Sequence, residues 1–461
     1  MFAGADIQLI NPDIKTHLAG AAFGEYRPCE SVLDDLYAKA VVIESNNTMY
    51  ALISLDVTII NKEYCDIIRK GAAEALGISE DAVLVFCTQT HSAPGVGCFM
   101  FEKQLLELTP ETEHLSGTTK KYSDFAASMA IKAAVNAKNS MKNAYMRVGR
   151  SFADKIAFNR RMITRDGNMV MPGFWNGELG NGNYLCYEGP TDPEVCVVSF
   201  IDEKMNNIAM LMHFTCHPVN VFNAARSYNS VSSDWCGAWS DEARRLYPGC
   251  VPMVLNGACG NINPWDPLNP DYSPDHYKMG RALMGVTRKI INQSHILGDT
   301  ELRFETRKIP LEYREIPRER LEYVKKTVTG NKPKFLDDRQ NQADADWFYA
   351  LSTMSAIKCR EDSPSFIYEI HALRIGNTAV VGLPGEPFSE GQMELKKRSA
   401  AEYLLVAHCA SQYVGYIAPK AAYAYDSHET NFQCTYWAKL KPGSLEVIID
   451  TAKEMTNKLF G

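Results

Sequence analysis

Two apolar runs in "AKAVVIESNNTMYALISLDV", Ala38 to Val57, are parted by Asn46-Asn47. Asparagine tolerates the positive φ of a tight turn, so the pattern predicts two strands joined as a hairpin. In the following "NKEYCDIIRKGAAEALG", the residues Tyr64, Ile67, Ile68, Ala72 and Leu76 recur at helical spacing. Asn61 is placed to cap that helix and Gly77 to stop it. A further apolar run, "AVLVF", leads into "CTQTHSAPG", and the resulting strand, helix, strand order is that of an α/β layer structure. Later runs, "EVCVVSFID", "IAMLMHF", "VPMVL", "IYEIHALRIG", "TAVVGLPG" and "AEYLLVAH", read as strands. Helical stretches are expected over 234–247, 273–292, 314–327, 340–357 and 387–398. Residues 171–194, rich in Gly, Asn and aromatics, read as a long loop facing substrate or as a surface excursion.

Composition narrows the class of partner. With 46% hydrophobic and 22% charged residues and a formal net charge of −7, the chain lacks the basic footprint of a nucleic-acid or anionic-membrane binder. A small-molecule partner is expected, with no nucleic acid and no stable membrane association, and a homo-oligomer stays open. No apolar run is long enough to span a bilayer. The first residues show no basic stretch followed by an apolar core. Thirteen cysteines, an odd number without a C-x-x-C pair, suit reduced thiols, so a cytoplasmic location is expected.

Chemistry-bearing residues cluster where apolar runs end: "CTQTHSAPG", "HFTCHPVNV", "SSDWCG", "NGACGNINPWD", "GLPGEPF" and "SQYVGYIAPKAAYAYDSHE". In α/β proteins strand ends supply rigidity and the loops beyond them supply access, so these segments are candidates for one site. Two histidines, a carboxylate and a tyrosine would suit zinc, whose open position lowers the pKa of a bound water.

In order along the chain, "DDLYAKAVVIES", "THSAPG", "FNRR", "GPTDPEV", "CHPVN", "SSD", "GACGNINP", "PGEPF" and "QYVGY" resemble the N-terminal catalytic domain of the neutral/alkaline non-lysosomal ceramidases, from about Gly4 to about Thr430. The resemblance implies one α/β hydrolase domain over 1–461, with mixed sheets and flanking helices; the C-terminal immunoglobulin-like domain that the ceramidases also carry is not expected in this chain. It also implies a zinc ion held by His217, Glu386 and Tyr416. The fourth ligand departs from the family. Gln89 stands where the ceramidases place a zinc-binding histidine, and His91 matches the second histidine of their loop. Either Gln89 or His91 completes the set, or the metal is weakened or absent. A second departure is Asn263, which stands at the position of the ceramidase serine nucleophile, with Asn261 at the preceding aspartate. A carboxamide cannot replace that hydroxyl as nucleophile, which shifts the expected chemistry toward an activated water.

Each candidate also has an ordinary structural role. Asp234 is a catalytic base or a helix cap worth about 1 kcal/mol. Arg160 holds a substrate oxygen or pairs with an acid. His428 transfers a proton or sits in a solvated loop with Glu429. Cys259 has no visible base and reads as a small buried thiol. Trp175, Tyr184 and Tyr187 suit a sugar face, with His91 and Asn261 binding polar groups. The expected function is therefore a metal-dependent hydrolase of a small polar, sugar-like or N-acyl substrate. The rivals are a glycosidase using Asp234 and Glu386 as paired carboxylates, and a non-catalytic binding protein.

Overall fold

The computed structural model describes residues 1–20, 24–174 and 176–461. The predicted hairpin forms between Tyr37–Ser45 and Thr48–Leu55, with φ of 51° at Asn46 and 61° at Asn47. The predicted helix spans Lys62–Leu76. Asn61 accepts the Tyr64 N–H at its start, and left-handed Gly77 ends it. Its buried face holds Tyr64, Cys65, Ile68, Ala72 and Leu76, while Ile67 points outward at 45% exposure. Periodicity found the face, but Ile67 lies just beyond its edge.

Three sheets make up most of the architecture. The first is ordered Val83–Cys87, Thr48–Leu55, Tyr37–Ser45, Phe2–Leu9 and Lys142–Asn143. The second is ordered Val251–Asn256, Asn207–Phe214, Glu194–Ile201 and Tyr145–Phe152. The third is ordered Leu302–Leu311, Phe366–Ile375, Thr378–Gly382 and Tyr403–Ala407. Alternation sends successive side chains to opposite faces. In the Tyr37–Ser45 strand, Ala38, Ala40 and Val42 pack beneath the helices Lys62–Leu76 and Lys120–Asn139. Val41 and Ile43 face a central core that also takes Val198, Leu211, Leu255, Leu373 and Leu405. That core therefore draws on all three sheets.

The second sheet is backed by Asp234–Leu246 and His276–Gln293, and the third by Ser389–Arg398 and Ser444–Phe460. Each sheet contains one parallel pair bridged by a helix: Thr48–Leu55 with Val83–Cys87, Asn207–Phe214 with Val251–Asn256, and Thr378–Gly382 with Tyr403–Ala407. A parallel pair needs such a crossover, and it leaves both strands ending on the same side. The polar segments picked out in the sequence follow these ends. Residues 171–194 are not a structureless loop, because Tyr184–Tyr187 pairs with Met162–Thr164, which also pairs with Met169–Val170.

Candidate functional site

After Cys87 the backbone turns through Gln89, whose φ is 65°, and reaches His91, whose N–H donates to Pro218 O at 3.1 Å. This ties the end of the first sheet to that of the second. His217 follows Phe214, and its N–H donates to Ile262 O at 3.0 Å. Glu386 follows Gly382 and pairs in parallel register with Tyr416. Gly385 and Gly415 flank this short ladder with φ of 71° and 92°, and a Cβ on Gly415 would lie 2.4 Å from the Trp437 backbone. Only glycine permits both that conformation and that approach.

These ends meet at Glu386. His217 Nε2 lies 3.2 Å from Glu386 Oε2, and Tyr413 donates its hydroxyl to Glu386 Oε1 at 3.0 Å. Burial pushes the Glu386 carboxyl upward. The hydrogen bond and charge of His217, the Gln89 amide and the Arg160 charge outweigh burial and hold it at about 2. The His91 ring stands edge-on to His217 at 5.6 Å and to Phe222 at 5.7 Å. Burial, with the His217 charge, lowers His91 to about 3, so it is neutral at pH 7. Arg27 donates to His91 O at 2.6 Å while its guanidinium lies over Phe222 and Tyr228, which fixes the His91 loop from behind.

A cavity of about 330 Å³ opens onto these groups. Gln89, His91, Glu386, Tyr413, Tyr416 and His428 line it, with apolar walls that include Phe174, Phe222 and Trp437. His428 stacks on Trp437 at 5.8 Å and meets Tyr416 at 5.2 Å, and burial lowers it to about 4. Arg160 lies over the Phe174 ring at 4.6 Å and pairs with Glu429 at 2.8 Å, and Glu429 also binds Arg161 at 2.9 Å. Burial and the Glu386 charge push the Tyr416 phenol far above its ordinary value.

Several sequence candidates stand elsewhere. Asp234 does not line the cavity. Its carboxylate accepts Asn220 Nδ2 at 3.0 Å, the Val221 N–H at 2.8 Å and the Trp235 N–H at 2.7 Å, so its oxygens are committed to holding the 220–222 loop. Asn261 accepts the Ser389 N–H at 3.0 Å and donates to Glu390 at 2.9 Å, which anchors a helix start, and it does not line the cavity. Asn263 is buried behind Arg160, with Oδ1 3.5 Å from its Nη1 and no partner for Nδ2 among the described residues. Tyr187 donates to Asp266 and Tyr184 to Glu178 O, so both leave the cavity, and from residues 171–190 only Gly173 and Phe174 line it among the described residues. Trp175 lies outside the described residues. Cys259 is fully buried and its thiol is pushed well up by burial, consistent with the inert reading.

Sequence reasoning missed Tyr413, Phe222, Trp437 and His408. His408 ends the Tyr403–Ala407 strand, as His91 follows a strand, and that placement was the available signal. Its Nδ1 lies 2.7 Å from Asn256 O and its Nε2 2.9 Å from Gln89 Oε1.

Among the described residues, no three His, Cys, Asp or Glu side chains gather as metal ligands. His217 nevertheless has the surroundings of a ligand. Its Nδ1 lies 3.2 Å from Ile262 O, an acceptor only, so Nδ1 carries the hydrogen and a neutral ring turns a bare lone pair toward Glu386. That contact is attractive when the ring is protonated or when a cation sits between the two groups. A carbonyl holding the far nitrogen is the usual support of a ligating histidine. His217 and Glu386, flanked by the Gln89 carboxamide and the Tyr416 phenol, thus fit a divalent ion, with two strong donors and two weaker ones.

Two solved structures share this fold. Neutral ceramidase from Pseudomonas aeruginosa aligns over 99% of this chain and 74% of its own with a TM-score of 0.71 at 16% identity. A ceramidase complexed with C2 aligns over 100% of this chain and 75% of its own, with a TM-score of 0.71 at 15% identity. No protein-family model matches the chain, and no curated protein does. The likeness establishes the mixed-sheet, ceramidase-like α/β fold and bears out the sequence resemblance at that level. No helix among the described residues is long and apolar enough to cross a membrane.

Proposed function

We propose that the chain is a hydrolase that cleaves a small polar N-acyl or sugar-like substrate in the cavity beside Glu386. The observation carrying this reading is the meeting of His217, Glu386 and Tyr413 where strand ends of two sheets converge. The cavity has the size of a small-ligand site, and its few polar groups stand between aromatic walls suited to the apolar face of a sugar ring. His217, Glu386, Gln89 and Tyr416 would hold a divalent ion, zinc on the ceramidase resemblance, which when bound supplies a polarising charge and a more acidic water.

The remaining chemistry belongs to the side chains. Neutral His91 and His428 face the cavity and can accept a proton from water or return one to a leaving group. Tyr413 donates to Glu386 Oε1 and so orients the carboxylate before substrate arrives, leaving Oε2 turned toward His217 Nε2. Phe174, Phe222 and Trp437 exclude water around the scissile bond. Arg160 acts through the Tyr416 hydroxyl and the Phe174 ring, as a positioning group.

The glycosidase alternative needs two carboxylates across the scissile bond. Asp234 is locked onto backbone N–H groups, and Glu386 is the cavity's only carboxylate among the described residues. The scattered, unpaired thiols support the proposal that the enzyme works in the cytoplasm. The test is a turnover screen of the purified protein on N-acyl amino sugars and on glycosides. Release of the acyl group that disappears in Glu386→Gln supports the proposal. Glycoside cleavage with no acyl release would overturn the N-acyl preference, and no turnover of either set would favour a binding protein.

A further inference from the structure

The hydrogen inventory around Gln89 does not balance in its simplest reading. In one orientation of the carboxamide, Oε1 lies 2.9 Å from His408 Nε2 and the amide nitrogen meets Glu386. His408 Nδ1 is 2.7 Å from Asn256 O, an acceptor only, so Nδ1 carries the ring hydrogen. Nε2 of the neutral ring is then an acceptor, and it would face another acceptor. His408 is fully buried, and besides the Gln89 oxygen and the Asn256 and Gly257 backbone, the side chain that approaches its ring is the weak donor Cys259 Sγ, at 3.8 Å. A half-turn of the carboxamide repairs the contact, because oxygen and nitrogen exchange places at almost no steric cost. The NH2 group then donates to His408, and the carbonyl oxygen turns toward Glu386.

That second orientation brings together three electron-rich groups: the Gln89 oxygen, the Glu386 carboxylate and the bare Nε2 of His217. Such a set repels itself in water or in protein and becomes favourable around a cation. Gln89 also holds a left-handed φ of 65°, a conformation that costs a non-glycine residue energy and is kept only where the surroundings demand it.

Building on the divalent-ion part of the proposed function, we infer that Gln89 enters the ion site through its carboxamide oxygen, with His408 as the residue that sets this orientation. The consequence is a change in ion preference. Replacing an imidazole nitrogen by a carbonyl oxygen leaves one histidine among mostly oxygen donors, and such a set narrows the advantage of zinc over manganese or magnesium. The position that departs from the ceramidases would therefore be a ligand of different hardness.

The experiment uses the full chain stripped with a chelator and titrated calorimetrically with Zn²⁺ and with Mn²⁺, with metal content measured in parallel. Wild type is expected to bind both ions. Gln89→Met, which keeps the length but has no oxygen, should weaken both by on the order of 10–100-fold, the range typical of losing support in a metal site. Gln89→His should raise the preference for Zn²⁺ over Mn²⁺ by about tenfold or more. His408→Leu should weaken Mn²⁺ by on the order of 10–100-fold, and His408→Gln, whose carbonyl oxygen can accept the same N–H, should recover most of that loss.

The inference is overturned if wild type binds neither ion more tightly than about 1 mM, or if Gln89→Met binds as wild type does. The orienting role of His408 is overturned if the leucine and glutamine variants bind alike. Thermal melts show which variants fold. Should His408→Leu fail to fold, the two Gln89 variants still decide the ligand role. Turnover separates the two levels: hydrolysis by a protein that binds neither ion sinks this inference and keeps the hydrolase, whereas tight metal binding without turnover on any substrate does the reverse.

Discussion

Two buried glutamates sit near each other in this protein and titrate alike, yet their surroundings give them different work. Glu386 and Glu429 are both held at about 2 against burial. Glu429 is held down by Arg160 and Arg161, whose guanidinium groups keep their protons at any working pH, so this carboxylate stays spent in an ion cluster. Glu386 faces a histidine, a phenol and an open cavity, partners that can exchange a proton or make room for an ion. A depressed pKa therefore does not by itself mark a functional carboxylate. The proton inventory of its partners does.

Glu386→Gln should break the contrast most sharply. Turnover on the substrate found by screening should fall by more than the 10²–10³-fold typical of losing one transition-state hydrogen-bond donor, while the melting transition stays cooperative. Near-normal turnover would remove Glu386 from the site. Glu429→Gln should act on the other axis, leaving two buried guanidinium groups under-compensated and costing about 3–5 kcal/mol of stability. Denaturant titration measures that loss, and a purely kinetic defect in a fully stable variant would contradict it.

Asp234→Ala comes next. It releases the Val221 N–H next to Phe222, which lines the cavity, and should cost about 1–3 kcal/mol of stability with KM rising more than kcat falls. A selective loss of kcat would return Asp234 to the chemistry. The acid limb follows. The folded-state pKa of Glu429 lies below its unfolded value, so its contribution is fully present above about 4.5 and is lost as pH falls through about 2. Denaturant titrations at stepped pH should show stability falling across that window in wild type and a flatter profile in Glu429→Gln. The smallest effect is expected from Asn263→Ala. Among the described residues its one side-chain hydrogen bond, with Arg160, is 3.5 Å long, so turnover should stay within about tenfold of wild type, well short of losing an oxyanion donor.

Gln89 and Asp234 show where reading the chain succeeds and stops. Both follow strand-end segments that the apolar pattern located, and both adopt positive φ. Nothing local says that one turns toward a cavity and the other toward the backbone of residues 220–222. The same holds for Tyr413 and Tyr416, three residues apart in one motif. Tyr413 reaches Glu386, whereas Tyr416 bonds Arg160, because the short parallel ladder sets which hydroxyl meets which carboxylate oxygen.

The sequence by itself determined what depends on neighbours a few residues away. The Asn46-Asn47 turn, the Asn61 cap, the Gly77 stop and the strand alternation all rest on backbone preferences and on a periodicity visible in the chain. Tertiary structure alone decided that three parallel pairs from three sheets would share one core, and which of the polar residues beyond their ends would find a partner other than backbone. Those contacts join residues up to about three hundred positions apart, such as Gln89 and His408, and their hydrogen-bond partners come from segments that no local pattern links.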